Sequence, residues 1–379
     1  MIVLVAGSLI YCLLVVIAAR HYLRASKPSR DQPSRDRQGA VPLSILKPLS
    51  GADDGLEENL RTFFTQDYPA YELLFAVRTE TDPAVDIVRK LQLEYSGMPS
   101  RLLIVGEPPY ANAKVWSLER MTAEARHDIL VMSDSDIRVT PDMLRTIASE
   151  FEDPNVGVTT CPYRAVPGHS FWSTLEAMGM NTEFLAGVLV ARMMEGMKFA
   201  LGPTTSARRQ VIQQAGGWPH LAQYLAEDFV LGNLAAEKGW TVLLSSYVIE
   251  HHICSASLRA NARHRLRWYR STRRSRPAGY IGQVFTNPLP LALLLVALST
   301  SWWPVLVIAA LLRALAAYAT AGWILHDSLT ARHWYLLPLQ DILSFVFWLA
   351  GFFGNTIAWR GRTYVLLRDG RFVPARPKA

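Results

Sequence analysis

The 379-residue sequence has few groups that could cross-link it. Its three cysteines, Cys12, Cys161 and Cys254, are far apart, form no Cys-x-x-Cys pattern and are odd in number. A fully paired disulfide framework is excluded, and the thiols read as reduced and structural. Charge is also sparse: 19% of residues are Asp, Glu, Lys or Arg, against 50% hydrophobic. That balance is unusual for a purely soluble protein and favours a membrane-associated class. No internal repeat or low-complexity tract is present. The formal charge of +7 suits nucleic acid or an anionic membrane surface. The arginine clusters lack interleaved aromatics, so nucleic acid is not an expected partner.

What the chain does have is long apolar runs. Residues 2–19 are almost wholly apolar and are followed by Arg20, Arg24, Lys27, Arg30, Arg35 and Arg37. A spanning helix with a basic cytosolic flank fits this order. A cleaved signal peptide would place its charges before the apolar run and a small-residue cleavage site after it. Residues 288–325 are long enough for two spans or a hairpin, and residues 334–359 for a further span, with tryptophans and tyrosines near the ends. The expected organisation is an anchor (1–25), a basic linker (26–40), a cytosolic domain (41–285), C-terminal membrane helices (286–360) and a basic tail (361–379).

Within residues 41–285, short apolar runs at 42–46, 72–77, 101–105 and 129–132 read as strands, and 56–65, 84–95 and 115–125 read as helices. The alternation predicts an α/β domain with a parallel sheet wrapped by helices. Ligands of such sheets sit at the carboxyl ends of the strands, so polar residues just after each run are the candidates.

Asp134-Ser135-Asp136 follows the fourth apolar run. Two carboxylates spaced i and i+2 at a strand end can grip a divalent cation that neutralises a diphosphate leaving group. A solvated strand-to-helix turn is the alternative. Glu227 and Asp228 follow an apolar, aromatic stretch, where a carboxylate beside another acid gains proton affinity and suits a general base; favourable placement at a helix N-terminus is the competing account. His264-Arg265-Leu266-Arg267-Trp268 lies among further arginines, which fit phosphates bidentately or bind anionic lipid heads. Residues 184–201 carry Arg192, Glu195 and Lys198 on an apolar stretch, and read as an interfacial helix or a core helix.

Together these pieces resemble the ceramide glucosyltransferase family and its bacterial relatives that glycosylate hopanoids. The resemblance is carried, in order, by Ser44-Ile45-Leu46-Lys47-Pro48-Leu49, Thr81-Asp82-Pro83-Ala84, Asn112-Ala113-Lys114-Val115, Asp134-Ser135-Asp136-Ile137-Arg138-Val139, Gln214-Ala215-Gly216-Gly217, Ala226-Glu227-Asp228 and Arg267-Trp268. It implies an inverting, A-type nucleotide-diphospho-sugar transferase fold with N-terminal and C-terminal transmembrane helices. Donor-binding roles fall on Lys47, Asp82, Asn112, Lys114, Asp134, Asp136, His264, Arg267 and Trp268. Asp134 and Asp136 would also hold a divalent cation, Mg or Mn, and Asp228 would be the catalytic base. The family pattern usually opens with Gln or Arg where this chain has His264, and that feature is closer to the hopanoid branch. The expected reaction is transfer from a UDP-sugar to a lipid hydroxyl, N-acetylglucosamine to a hydroxylated hopanoid (bacteriohopanetetrol), with glucosylceramide synthesis as the alternative. The expected setting is a bacterial cytoplasmic (inner) membrane, multi-pass, with the catalytic domain cytosolic. A polysaccharide synthase would need a complete Gln-x-x-Arg-Trp pattern and more spans. A non-catalytic scaffold or transporter would leave Asp134, Asp136, Glu227 and Asp228 without a role.

Overall fold

A computed structural model describes residues 1–25, 40–359 and 362–375. All but the last residue of the expected basic linker, the last residue of the expected membrane helices (360), and residues 361 and 376–379 of the expected tail lie outside the described residues. The chain forms two compact units. One combines Lys27–Pro162 with Met197–His252, and the other combines Met1–Ser26, Tyr163–Gly196 and Ile253–Ala379. The sequence boundaries at 41 and 285 therefore do not mark the unit boundaries. Two internal segments that read as part of the cytosolic domain pack with the apolar helices instead.

The first unit is built on a seven-stranded sheet. Its order is Ser100–Ile104, Tyr71–Val77, Leu43–Pro48, Ile129–Ser133, Thr204–Arg208, Val156–Thr160 and Thr241–Leu244. The first four strands are parallel, as the alternating runs predict. Thr204–Arg208 is antiparallel to both its neighbours, so the sheet is mixed rather than parallel. Its sequence, Thr-Thr-Ser-Ala-Arg, has no apolar run, and the hydrophobic pattern therefore gives no sign of it. The helices Leu56–Phe64, Ala84–Glu94 and Ala113–Glu124 fall where the periodicity puts them. Leu46, Leu74, Leu118, Met121, Leu130 and Leu231 belong to one core, all of them buried.

Gly232 sets the seating of the helix Glu227–Glu237. A side chain there would meet backbone atoms of Phe199 and Ala200, which cannot rotate away. Gly232→Ala is therefore expected to destabilise the protein by about 1–3 kcal/mol, the usual cost of overpacking. A thermal melt of the detergent-solubilised protein checks this; an unchanged midpoint would show that the backbone shifts freely.

The second unit is mainly helical. Among the described residues, three helical stretches are long and apolar enough to cross a membrane: Ile2–Ala25, Thr300–Gly322 and Trp334–Gly351. Pro277–Thr286 and Pro288–Leu298 pass the same test only as a pair, bent by 62°. The 11-residue helix Pro288–Leu298 is about 16 Å long, too short for a hydrocarbon core of about 30 Å. The last span ends at Gly351, earlier than the apolar run suggested, because Gly354 at φ 74° turns the chain into Thr356–Trp359. That strand joins Arg362–Leu366 and Phe372–Pro374 in an antiparallel sheet. Within the stretch 184–201, the helix Leu185–Glu195 buries Leu185, Ala186, Val188, Leu189, Val190 and Ala191. Arg313 and Asp341, deep in the spans, satisfy one another at 2.9–3.0 Å, with Thr182 as a further partner of the arginine. A paired arrangement of this kind is how charges persist in apolar surroundings.

Candidate active site

The parallel strands deliver their polar ends to one side of the first unit. At the tip of Ile129–Ser133, Asp134 accepts an ion pair from Lys114 at 2.8 Å. Lys114 sits on the first turn of Ala113–Glu124 and also reaches Glu227 Oε1 at 3.2 Å. Burial opposes its charge, yet Asp134, Glu227 and Asp228 outweigh burial and hold Lys114 above the ordinary lysine range.

Asp228 occupies the first turn of Glu227–Glu237. Glu227 and Asp228 are the first two residues of that helix, so both acids lie inside it. A helix N-terminus alone would favour the carboxylate. Burial is the larger effect, and the neighbouring Glu227 adds to it, so the Asp228 carboxyl is pushed up to about 7 against the opposing pull of Lys114. The group opens into a cleft that Lys114, Met132, Gly202, Trp218 and Leu231 also line. A methyl group on Gly202 would stand 3.0 Å from Asp228 Oδ2, so the glycine keeps that oxygen accessible.

Asp136 turns to a different partner. Ile137–Arg138 pairs antiparallel with Ile249–Ile253, opposing His251 to Ile137. This places His251 Nε2 3.1 Å from Asp136 Oδ2. Burial of Asp136 favours its acid form, but His251 and Lys47 prevail and hold it down to about 2. Its other oxygen, Oδ1, is buried with no hydrogen-bond partner among the described residues. An imidazole nitrogen and an orphaned carboxylate oxygen are donors that a divalent transition ion accepts. The fit is therefore to Asp136 with His251, while the Asp134 carboxylate is engaged by Lys114. No cluster of three or more potential metal ligands occurs among the described residues.

The remaining candidates divide into those open to a donor and those that hold the site together. Asp82 is partly exposed; its oxygens take the Gly51 N–H at 3.0 and 3.1 Å and the Ala84 N–H at 3.0 Å, tying two strand-end loops together. Lys47 is fully buried. Its ammonium donates to the Asp134 carbonyl and lies 3.9 Å from the centre of the Phe63 ring. Burial pulls it down to about 7, although Asp134 and Asp136 oppose the shift. Asn112 is also buried: its Oδ1 caps the helix at Val115 N, and its Nδ2 donates to Tyr224 O at 3.0 Å and Glu227 Oε2 at 3.2 Å. Lys47 and Asn112 thus lie beneath Asp134 and Glu227 and hydrogen-bond to them.

His264, Arg267 and Trp268 lie on Leu258–Ser275, in the other unit. Their i, i+3, i+4 spacing gives them one helix face. The His264 and Trp268 rings are 5.0 Å apart. His264 Nδ1 is hydrogen-bonded to the buried Glu176, which also accepts from Ser255 and Asn261. Burial works against the Glu176 carboxylate, but His264 and Ser255 more than offset it and keep the group below its usual range.

Two residues escaped the sequence reading. His251 follows Glu250 and precedes His252 in Ile249–Ile253, and three successive ionisable residues inside a strand were the available signal. Glu176 is the lone charge in the apolar helix Phe171–Gly179, a position costly without partners.

The parallel strands ending at Asp134, the inserted antiparallel strand and the acid pair after the fourth strand define the A-type fold of nucleotide-diphospho-sugar transferases. Among solved structures, a mannosyltransferase from Pyrobaculum calidifontis in complex with GDP-Man and Mn2+ superposes with a TM-score of 0.53 at 20% identity, covering 92% of this chain and 97% of that one. The chain belongs to Glycosyl transferase family 21, whose family model matches residues 1–372. Ceramide glucosyltransferase 1 of Caenorhabditis elegans is 28% identical over 54% of this chain and 44% of its own length. Ceramide glucosyltransferase 3 of the same organism is 27% identical over 71% and 58%. The chain spans about half the length of these curated relatives.

Proposed function

We propose that this protein transfers glucose from UDP-glucose to the hydroxyl of ceramide or a closely related lipid alcohol, with inversion at the anomeric carbon. One observation carries the reading: Asp228 is a half-buried carboxyl pushed up to about 7, faces a cleft and is flanked by Lys114, whose ammonium also pairs with the Asp134 carboxylate. A group with that proton affinity is partly ionised at neutral pH and takes a proton from an alcohol more readily than an ordinary aspartate does. The names of the matched relatives support glucose and ceramide over the N-acetylglucosamine and hopanoid expected from the sequence pattern.

The reaction is a single displacement. The acceptor O–H proton passes to Asp228 as the acceptor oxygen bonds to the anomeric carbon and the bond from that carbon to the diphosphate breaks. Negative charge grows on the departing diphosphate, where Lys114 is placed to stabilise it. Asp136 and His251 would hold a divalent cation, which supplies further charge neutralisation at the diphosphate when bound. The mannosyltransferase with the same fold was solved with Mn2+, which supports an ion of this kind.

The test is a screen of purified protein in detergent with UDP-glucose or UDP-N-acetylglucosamine, Mg or Mn, and ceramide or a polyhydroxylated hopanoid. Glucosylceramide formation is the expected result; transfer to the hopanoid alone would replace the acceptor, and no donor turnover with any pair would sink the reading. In the same assay His251→Ala is expected to raise the Mn2+ concentration for half-maximal rate by about tenfold or more, the scale of losing a metal-site interaction. An unchanged Mn2+ titration would remove His251 from the ion's surroundings.

A further inference from the structure

The helix Phe171–Gly179 carries a single charge, Glu176, and encloses it: 3% of that residue is exposed. Nothing in the chemistry above uses it. Both of its oxygens are occupied, Oε1 by His264 Nδ1 and Oε2 by Ser255 Oγ and by Asn261 Nδ2 at 3.1 Å. Asn261 is itself buried and gives its other amide hydrogen to the Trp172 carbonyl at 3.1 Å. Arg265 donates to the Leu175 carbonyl at 3.0 Å and to Gln340 Oε1 at 2.6 Å. The helix Leu258–Ser275 is thus fastened to Phe171–Gly179 at Trp172, Leu175 and Glu176.

A carboxylate so enclosed is costly unless its charge is answered. An ionised carboxylate also has no hydrogen to give, so the proton in its bond with His264 belongs to Nδ1. The other ring nitrogen, Nε2, makes no hydrogen bond among the described residues, and 27% of the His264 side chain is exposed. Glu176 therefore decides which nitrogen is left for a ligand. Trp268, its ring 5.0 Å from that of His264, and Arg267 share the helix face, and the complement of an arginine-bearing face is an anion. Facing an oxyanion, Nε2 must bring a proton of its own. The ring then carries two, one donated to the ligand and one to Glu176, and the buried carboxylate is the counter-charge behind it.

We propose that Glu176 is the positioning residue of an oxyanion contact: it holds His264 by Nδ1 so that Nε2 donates to a phosphate oxygen. The diphosphate of a sugar nucleotide and the phosphate of an anionic lipid head both present such an oxygen. The first source rests on the nucleotide-sugar reading; the contact itself is a claim about binding that holds without any sugar transfer.

The experiment uses the full chain in phosphatidylcholine nanodiscs, its nine histidines labelled with nitrogen-15, and reads the ring nitrogens by NMR. The His264 signals are those missing from His264→Ala. A protonated Nδ1 in the wild type is expected, with an Nε2 that gains a proton when UDP with Mg2+ or, separately, phosphatidylglycerol is added; whichever acts identifies the source of the phosphate. An unprotonated Nδ1, or an Nε2 indifferent to both additions, would overturn the proposal. Titration of the anion that acts then separates positioning from scaffolding. Glu176→Gln keeps the shape and removes the charge, and should weaken binding about tenfold, the scale of one lost hydrogen bond to a charged group. His264→Ala should do the same, and the double variant should bind no more weakly than His264→Ala alone. A further tenfold loss in the double variant would make Glu176 a purely structural residue. If Glu176→Gln does not fold, the wild-type spectra still decide. Absence of sugar transfer with any donor would sink the catalytic reading and leave these spectra to judge the contact.

Discussion

Asp228→Asn lowers kcat/KM for the lipid acceptor by about 10²–10⁴-fold, the range that a positioned general base contributes, while UDP-glucose binding is retained. The asparagine is nearly isosteric and keeps the helix start intact, so loss of activity without loss of donor binding isolates the proton transfer. The wild-type pH profile makes the same point. Only the ionised Asp228 accepts a proton, and its carboxyl is pushed up to about 7 by burial and by Glu227. Activity therefore rises as pH increases through about 7 and falls by about tenfold for each pH unit below it. Glu227→Gln removes the neighbouring charge that adds to burial in holding that value up, so its acid limb moves to lower pH. A profile flat from pH 5 to 8, with full activity in Asp228→Asn, would place the base elsewhere.

The same residues show what was legible in the sequence. Asp134, Asp136 and Asp228 could be named because strand ends and helix starts in an α/β alternation are visible as changes of hydrophobic period. The four parallel strands and three helices appeared within a few residues of their observed bounds for the same reason. Thr204–Arg208 did not, since a strand of Thr, Ser and Arg in the middle of a sheet is held by its neighbours rather than by its own pattern. His251 was hidden because its meeting with Asp136 depends on a pairing across more than a hundred residues. Lys47 and Asn112 stand out as motif residues, but proximity along a motif says nothing about burial, and both are enclosed beneath the groups they support. The unit boundary was missed because Tyr163–Gly196 and Ile253 onward carry mixed polar and apolar residues, whose partners are helices remote in sequence.

Lys114→Met is the second large effect. Lys114 is the cation shared by Asp134, Glu227 and Asp228, and without it three carboxyls face one another in a partly enclosed site. Two losses are separable. The developing charge on the diphosphate loses a fixed donor, which lowers kcat by about 10²–10³-fold at any pH, as for other preorganised donors. The proton affinity of Asp228 also rises, because Lys114 is the group that lowers it. At pH 7 a larger share of Asp228 is then protonated, and the acid limb of kcat/KM moves to higher pH. Raising the pH toward 9 should recover the second loss and leave the first. Lys114→Arg keeps the charge and should keep the acid limb near its wild-type position, even if the altered geometry costs rate. An acid limb that stays fixed in Lys114→Met would mean that the lysine does not act on Asp228, and the coupling between donor charge and acceptor activation would fail. A limb that moves as expected would tie the two halves of the reaction to one side chain: the lysine that stabilises the charge on the leaving group also sets when the base can accept a proton.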